Sequence, residues 1–333
     1  MLRNPLAAVK ENLIYVVVAS LVAGLAFGQV AGAGTKSLLK AAVVPVLFLM
    51  IYPMMINIDL KEVINFRGHA KPVGLSVIVN FAVAPLVAVW LARTFFTGTP
   101  AYAVGLYFIA LVPTSGMTAA WTGLAKGDLE AALVAMAVNL LAAVAILPAY
   151  LSVLVPTSVA FDPTALYRQL AQVVVLPMVA GNLTRRALLR RYGSDGFRRL
   201  KPTFGGLSSV GVMFIVFIAM TMRAQSILAD PVASATTVVP LVVFYAVLLA
   251  VGAGLGRLLD TERGIALVYA TSMRNLSIAL AIVVAAGSVP AEAVLPIALA
   301  YILQPPLGAV YMHYRRDVVG EGLSLREAVA DLV

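Results

Sequence analysis

The stretch Tyr269-Ala-Thr-Ser-Met-Arg-Asn-Leu-Ser277 is a polar interruption in an apolar run that extends from Gly264 to Ala286. The run is long enough to cross a lipid bilayer as a helix. Arg274 lies near its middle, where a charged side chain costs about 2.5–3.5 kcal/mol on insertion scales and usually marks a functional cavity. The stretch therefore predicts a membrane span with a site around Arg274.

The composition is that of a membrane protein. Of the 333 residues, 62% are hydrophobic and 12% charged, and the mean hydropathy is +0.98. A soluble protein of this length could not bury so much apolar surface, so the fold class is an all-α polytopic membrane protein. Cysteine is absent, which excludes disulfides and thiolate metal sites. We expect no metal and no cofactor.

Enzymatic motifs are missing from the apolar segments. His69 lies between two spans and His313 at the end of one, so neither a HExxH pair nor a Ser–His pair lies within the membrane. We therefore expect a protein that is not an enzyme.

Windows of about 20 apolar residues predict ten spans. The prolines inside them are tolerated because neighbouring helices and water satisfy the freed carbonyls. The predicted spans cover residues 13–32, 38–57, 72–92, 101–124, 130–154, 166–184, 202–222, 232–256, 264–287 and 291–313.

The distribution of basic residues predicts the orientation. With ten spans, both termini share one side of the membrane, and that side carries 18 of the 24 Lys and Arg residues. The opposite side carries five, and the one left over is Arg274. By the positive-inside rule we expect both termini in the cytoplasm, in a multi-pass protein of the plasma membrane.

The basic segment 185–201 divides the chain into two halves of five spans. We interpret it as a cytoplasmic loop that faces anionic lipid, and we expect no nucleic-acid partner. Because five is odd, the halves have opposite orientations, which is the inverted-repeat plan of secondary transporters. We predict one transporter domain, 1–333, with repeats at approximately 13–154 and 166–313.

Spans 4 and 9 correspond in this plan, and both are interrupted. In span 4, Pro113 removes an amide donor and Gly116 weakens the helix just after it. In span 9, the interruption is centred on Met273 and Arg274. Paired breaks are the best sequence indication of a transporter's substrate site, although an ordinary proline kink at Pro113 is the simpler alternative.

The candidate substrate-binding residues are the polar groups at the breaks, together with two asparagines embedded in other spans. For Arg274, a structural role in satisfying the carbonyls of a broken helix is also open. The candidates are Arg274, Asn275, Ser277, Thr114, Ser115, Thr118, Thr271, Ser272, Asn80 and Asn139, with Pro113, Gly116 and Met273 as helix breaks.

The acidic residues narrow the mechanism. All fifteen Asp and Glu lie outside the centres of the predicted spans, whereas proton relays and tight sodium sites usually need a central carboxylate. Arg274 cannot carry protons, because a guanidinium does not deprotonate in proteins. The fixed positive charge favours an anionic or hydrogen-bond-accepting solute, or takes the place of a coupling cation.

Four motifs resemble the superfamily of bile acid/sodium symporters and arsenical-resistance permeases, over nearly the whole chain. The resemblance implies ten helices in a core and a panel domain, with helices 4 and 9 crossing at their breaks. The motifs are Met50-Ile-Tyr-Pro-Met-Met-Ile-Asn57, Trp121-Thr-Gly-Leu-Ala-Lys-Gly-Asp128, Leu176-Pro-Met-Val-Ala-Gly-Asn-Leu-Thr-Arg185 and Met273-Arg-Asn-Leu-Ser-Ile-Ala-Leu-Ala281.

The departures from the family pattern concern the functional residues. Arsenite permeases carry a cysteine where this sequence has Thr114 and a glutamate where it has Ser277. The bile-acid branch has a sodium-binding glutamate at the position of Ala270 and a glutamine at that of Arg274. Its paired serine and asparagine in helix 4 fall on Thr118 and Ala119. The resemblance therefore suggests a tethered cation in place of a soluble one.

We conclude from the sequence that the chain resembles a secondary transporter of the arsenical-resistance branch, which exports arsenite or a related oxyanion. The partners would be a small, anionic or oxyanion-like solute and the lipid bilayer. The alternative is an organic-anion carrier that uses Arg274 as counter-charge. A non-transporting scaffold is disfavoured, because it would not need two symmetric breaks. The sequence leaves open the substrate, the direction of transport and the oligomeric state.

Overall fold

The computed structural model describes residues 13–155, 163–229, 231–285 and 289–315. Within these ranges the chain is helical, as expected for a polytopic membrane protein. Both termini, which we predicted in the cytoplasm, lie outside the described residues, as do the last two residues of the ninth predicted span. Among the described residues, six helices are long and apolar enough to cross a membrane: Ala33–Asn57, Phe66–Phe95, Leu129–Leu154, Leu176–Met222, Val238–Gly256 and Val294–His313.

Each predicted span coincides with a helix or with a pair of helices. Helix α3 covers 70–95 and includes a π-helical turn at Val79–Val83, and α6 covers 163–192 with a similar turn at Ala171–Val175. The other helices are α1 (Leu13–Val30), α2 (Ala33–Asn57), α4a (Pro100–Leu111), α4b (Gly116–Leu124), α5 (Leu129–Leu154), α7 (194–229), α8 (Val238–Gly256), α9a (Thr261–Ser272), α9b (Leu276–Ala285) and α10 (Val294–His313).

The connection between α6 and α7 differs from the prediction of a loop at 185–201. The run Leu176–Ala229 is helical, apart from Gly193 at φ 66° and ψ −179°. Gly193 tolerates this positive φ because it has no Cβ. The segment is rich in Leu, Arg and Ala, which are strong helix formers, so the chain bends without an irregular loop. The Arg185 guanidinium contacts Asp59 at 2.7 Å and lies 4.7 Å from the centre of the Phe197 ring.

The helices pack mainly within two groups. Helices α1 and α2 pack along the run Leu176–Ala229, while α3, α4, α5, α8, α9 and α10 pack among themselves. The first group is held together partly by the Tyr52 and Thr184 hydroxyls, which lie 2.7 Å apart, and by the Ser208 hydroxyl, which donates to the Met50 carbonyl at 2.6 Å. Among other contacts, α9b meets α2 and α10 meets α1 between the groups.

The turn after α4b connects the two broken helices at one end of the molecule. Lys126 has a positive φ of 57°, and the Gly127 amide donates to the Thr122 carbonyl at 2.7 Å, which ends the helix. The Asp128 amide then donates to the Glu262 carbonyl at 2.9 Å, in the first turn of α9a. The turn therefore fixes the start of α9a relative to the end of α4b.

Candidate functional site

The break in α4 follows from Pro113 and Ser115. Helix α4a ends at Leu111, and Val112 is extended at φ −66° and ψ 148°, as expected for a residue before proline. Ser115 then caps α4b, because its hydroxyl accepts the Met117 amide at 3.2 Å. Gly116 begins the new helix and is exposed, so the start of α4b is open to the surroundings.

The break in α9 forms without proline or glycine. Helix α9a ends at Ser272, and Met273 is extended at φ −87° and ψ 94°. The Asn275 side chain accepts the Ile278 amide at 3.3 Å and so caps the first turn of α9b.

The two breaks meet in an antiparallel bridge between Thr114 and Arg274. The Ser115 amide donates to the Met273 carbonyl at 2.9 Å, and the Asn275 amide donates to the Pro113 carbonyl at 2.8 Å. Each broken helix thus satisfies backbone groups that the other leaves free. This exchange explains how extended backbone is tolerated at membrane depth, where water is scarce.

Two threonine hydroxyls strengthen this junction. The Thr114 hydroxyl donates to the Met273 carbonyl at 3.1 Å, and the Thr118 hydroxyl donates to the Tyr269 carbonyl at 3.2 Å. The two hydroxyls also contact each other. All of these groups are buried, so α4b and the end of α9a form one polar unit.

The Gln304 side chain in α10 hydrogen bonds to both the amide and the carbonyl of Arg274. Its Oε1 accepts the Arg274 amide at 2.7 Å, and its Nε2 donates to the Arg274 carbonyl at 3.1 Å. The Tyr245 hydroxyl donates to the same Oε1 at 3.1 Å. With these contacts, the backbone of the break is held from α4, α8 and α10.

The Arg274 side chain has no comparable partner. It is 1% exposed, and none of its three guanidinium nitrogens hydrogen bonds to any part of the chain that the structure describes. Its Cζ lies 5.9 Å from the centre of the Phe244 ring, at the limit of a cation–π contact. A buried charge without a hydrogen-bonded counter-ion is costly, so this guanidinium is suited to bind an anion.

The side chains of Asn275 and Ser277 contact α2 and α10, respectively. The Asn275 Nδ2 approaches the Met54 sulfur of α2 at 3.8 Å, where the two groups of helices meet. The Ser277 hydroxyl lies 2.7 Å from the Tyr301 hydroxyl of α10 and is half-buried.

Four other candidates bond to the protein instead of converging on Arg274. The hydroxyls of Thr271 and Ser272 donate to the carbonyl of Val268 in their own helix, at 2.9 and 2.8 Å. The Asn80 Nδ2 donates to the Asn139 Oδ1 and to the Ala270 carbonyl, both at 2.9 Å. These side chains therefore stabilise the last turns of α9a, directly before the break.

Sequence reasoning did not single out several residues that surround Arg274. Gln304 is one of them, although a polar residue directly before Pro305 and Pro306 in an apolar helix is a usable signal. Phe244 and Tyr245 are embedded in an apolar span and carry no such signal. Their position beside Arg274 follows only from the packing of α8 against α9 and α10.

Comparison with known proteins identifies the family of the chain. Residues 44–230 match the sequence profile described as the Sodium Bile acid symporter family. The chain belongs to this family. The match includes the first helix break and ends before the second, and membership makes the chain a membrane transporter of this type.

Individual relatives place the chain near the arsenical-resistance branch of the family. It is 28% identical over 263 residues to Arsenical-resistance protein Acr3 of Alkaliphilus metalliredigens, across 71% of this chain and 72% of that protein. It is 24% identical over 210 residues to the protein of the same name from Corynebacterium glutamicum, across 60% and 57% respectively. The Uncharacterized transporter slr0944 of Synechocystis is 22% identical over 249 residues, across 66% and 65%.

Proposed function

We propose that the chain is a secondary transporter of the arsenical-resistance type that moves a small oxyanion or a related solute, with Arg274 as a fixed cation in place of coupled sodium. The observation that carries the proposal is the buried guanidinium of Arg274, which has no hydrogen-bond partner in the described structure and lies where two broken helices meet. Arsenite export is our proposal, and the similarity to two proteins named Arsenical-resistance protein Acr3 supports it.

The proposed architecture consists of ten membrane helices in two inverted repeats, 13–154 and 166–313. The corresponding breaks in α4 and α9, which exchange backbone hydrogen bonds, support this arrangement. The two packing groups support a panel (α1, α2, α6 and α7) and a core that rock against each other. We further propose a plasma-membrane location, with both termini and the segment 185–201 in the cytoplasm.

The proposed solute site lies between α4b and α9b, beside the guanidinium of Arg274. Both helices begin there, so their free amides and the positive ends of their dipoles favour an anion. Thr114, Ser115, Thr118, Asn275 and Ser277 are the proposed contacts. Asn80, Asn139, Thr271 and Ser272 take part by holding α9a in position.

The substitution of the bile-acid branch's sodium ligands supports the tethered-cation mechanism. The position of its sodium-binding glutamate is occupied by Ala270, and a guanidinium stands at the position of its glutamine. A sodium ion would have no carboxylate at these positions and would be repelled by Arg274.

An organic-anion carrier is the second candidate. Thr114 stands where the arsenite permeases have a cysteine, so trivalent arsenic would lose a soft ligand. A carboxylate, in contrast, would pair with the Arg274 guanidinium in a bidentate manner.

Flux measurements in proteoliposomes test both candidates. The solutes are arsenite, antimonite, bile acids and small carboxylates, each with and without a sodium gradient. We expect sodium-independent flux. Sodium-dependent transport with Arg274 intact would overturn the tethered-cation mechanism. Arg274→Ala distinguishes the solutes, because it should abolish carboxylate transport while neutral arsenous acid is spared.

A further inference from the structure

A basic cavity lies at the end of the molecule where α8, α9a and α10 meet, about the length of α9a from the breaks. Its volume is about 330 Å³. Arg257 follows α8, while Tyr311, Tyr314 and Arg315 come from the end of α10. These helices belong to the core in the proposed architecture, but the cavity itself does not depend on the solute that is carried.

Within the part of the chain that the structure describes, neither arginine forms a salt bridge. No carboxylate pairs with Arg257 or Arg315 among the described residues, and the Arg315 Nε is buried without a hydrogen bond. The nearby Asp260 is already engaged, because its side chain accepts the Arg263 amide at 3.0 Å and lies 3.6 Å from the Arg263 Nε. The cavity therefore carries two available positive charges.

The shape of the cavity follows from two glycines. Gly256 and Gly264 lie in direct backbone contact, since a Cβ on Gly264 would come within 2.8 Å of the Gly256 carbonyl oxygen. The wall at this point is backbone, which leaves room beside the guanidinium groups. Tyr311 and Tyr314 also line the cavity, and their rings lie 6.4 Å apart. Tyrosine is enriched at the level of lipid headgroups.

We propose that this cavity binds a phosphate group through Arg257 and Arg315. Arginine forks match the oxygens of a phosphate and form short, charge-assisted hydrogen bonds, and tyrosine hydroxyls can add donors. Basic pockets between membrane helices bind anionic headgroups in this way. The phosphate belongs either to an anionic lipid or to a soluble phosphate, and the two sources share this chemistry.

Binding to purified protein tests the proposal. Native mass spectrometry would follow phosphatidylglycerol and phosphatidylcholine, and thermal unfolding in detergent would follow inorganic phosphate. We compare the wild type with the double variant Arg257→Gln/Arg315→Gln. The control is Lys40→Gln/Arg93→Gln, which removes the same charge from exposed positions outside both the cavity and the basic segment 185–201.

We expect the cavity variant to bind about tenfold more weakly than the wild type, while the control keeps its affinity, because each lost bond involves a charged group. Loss of phosphatidylglycerol binding alone identifies a lipid headgroup, and loss of phosphate-dependent stabilisation identifies a soluble phosphate. Arg257→Lys/Arg315→Lys keeps the charge and should retain part of the binding, which excludes misfolding as the cause. Equal binding by wild type and cavity variant, or an equal loss in the control, would overturn the proposal.

Discussion

Gln304 satisfies both backbone hydrogen-bonding groups of Arg274, through an amide acceptor at 2.7 Å and an amide donor at 3.1 Å. One side chain of α10 thus takes the place of a helical turn that α9 lacks. Its two bonds fix the direction in which the Arg274 side chain leaves the backbone. The position of the guanidinium therefore depends on α10 as well as on the two broken helices.

The first prediction concerns Gln304→Leu, which removes both bonds and leaves the apolar volume nearly unchanged. The Arg274 carbonyl keeps a bond from the Leu276 amide at 3.0 Å, so the main loss is one buried N–H without a partner. We expect a destabilisation of about 1–3 kcal/mol, measured by thermal unfolding in detergent. Tyr245→Phe is the control, because it removes only the hydroxyl that donates to Gln304, and an equal loss in both variants would contradict the prediction.

A second prediction separates the two roles that the sequence leaves open for Arg274. Its guanidinium makes no hydrogen bond within the described structure, so Arg274→Met should relieve the burial of a charge and keep the backbone bonds to Gln304. We expect a melting temperature equal to or above that of the wild type, together with loss of anion flux. A clear drop in stability would instead indicate a structural role for the side chain.

A third prediction concerns Thr114, which stands where the arsenite permeases have a cysteine. Thr114→Cys restores the residue that the arsenite permeases carry in this break, and thiolates are soft ligands for trivalent arsenic. We expect arsenite flux to increase several-fold in proteoliposomes. Thr114→Ser is the control, because it keeps a hydroxyl that can donate to the Met273 carbonyl. If both variants transport arsenite equally, the thiol at this position does not determine the substrate.

The break in α4 could be predicted in detail from local chemistry. Pro113 lacks an amide donor, and Ser115 is a good helix cap, so both ends of the break are fixed by residues within it. The break in α9 could be located only through the cost of a buried charge, since Met273 and Arg274 do not break helices by themselves. Their conformation depends on hydrogen bonds from α4 and α10.

The surroundings of the guanidinium could not be predicted for a related reason. Phe244 and Tyr245 lie in α8, some 30 positions before Arg274 along the chain, and an apolar span gives no sign of which face meets α9. Residues 185–201 show the opposite case, because the Arg and Leu residues on either side of Gly193 favour helix and were available in the sequence. A strongly basic segment between two spans suggested a loop, and the intrinsic preference for helix prevailed.

The final prediction tests the packing of α7 against α2. A Cβ on Gly211 would lie 2.6 Å from the Met50 Cα and 2.7 Å from its Cβ, so backbone would have to move. Gly211→Ala should therefore separate the helices, weaken the 2.6 Å bond from Ser208 to the Met50 carbonyl and cost about 1–3 kcal/mol. Gly254→Ala in α8 is the matched control, because a Cβ at that position would meet no described atom within 4 Å outside its own turn of helix. This substitution should raise the free energy of unfolding by about 0.5–1 kcal/mol. Thermal unfolding of both variants in the same detergent checks the prediction, and shifts of the same sign would show that α2 and α7 are not in close backbone contact.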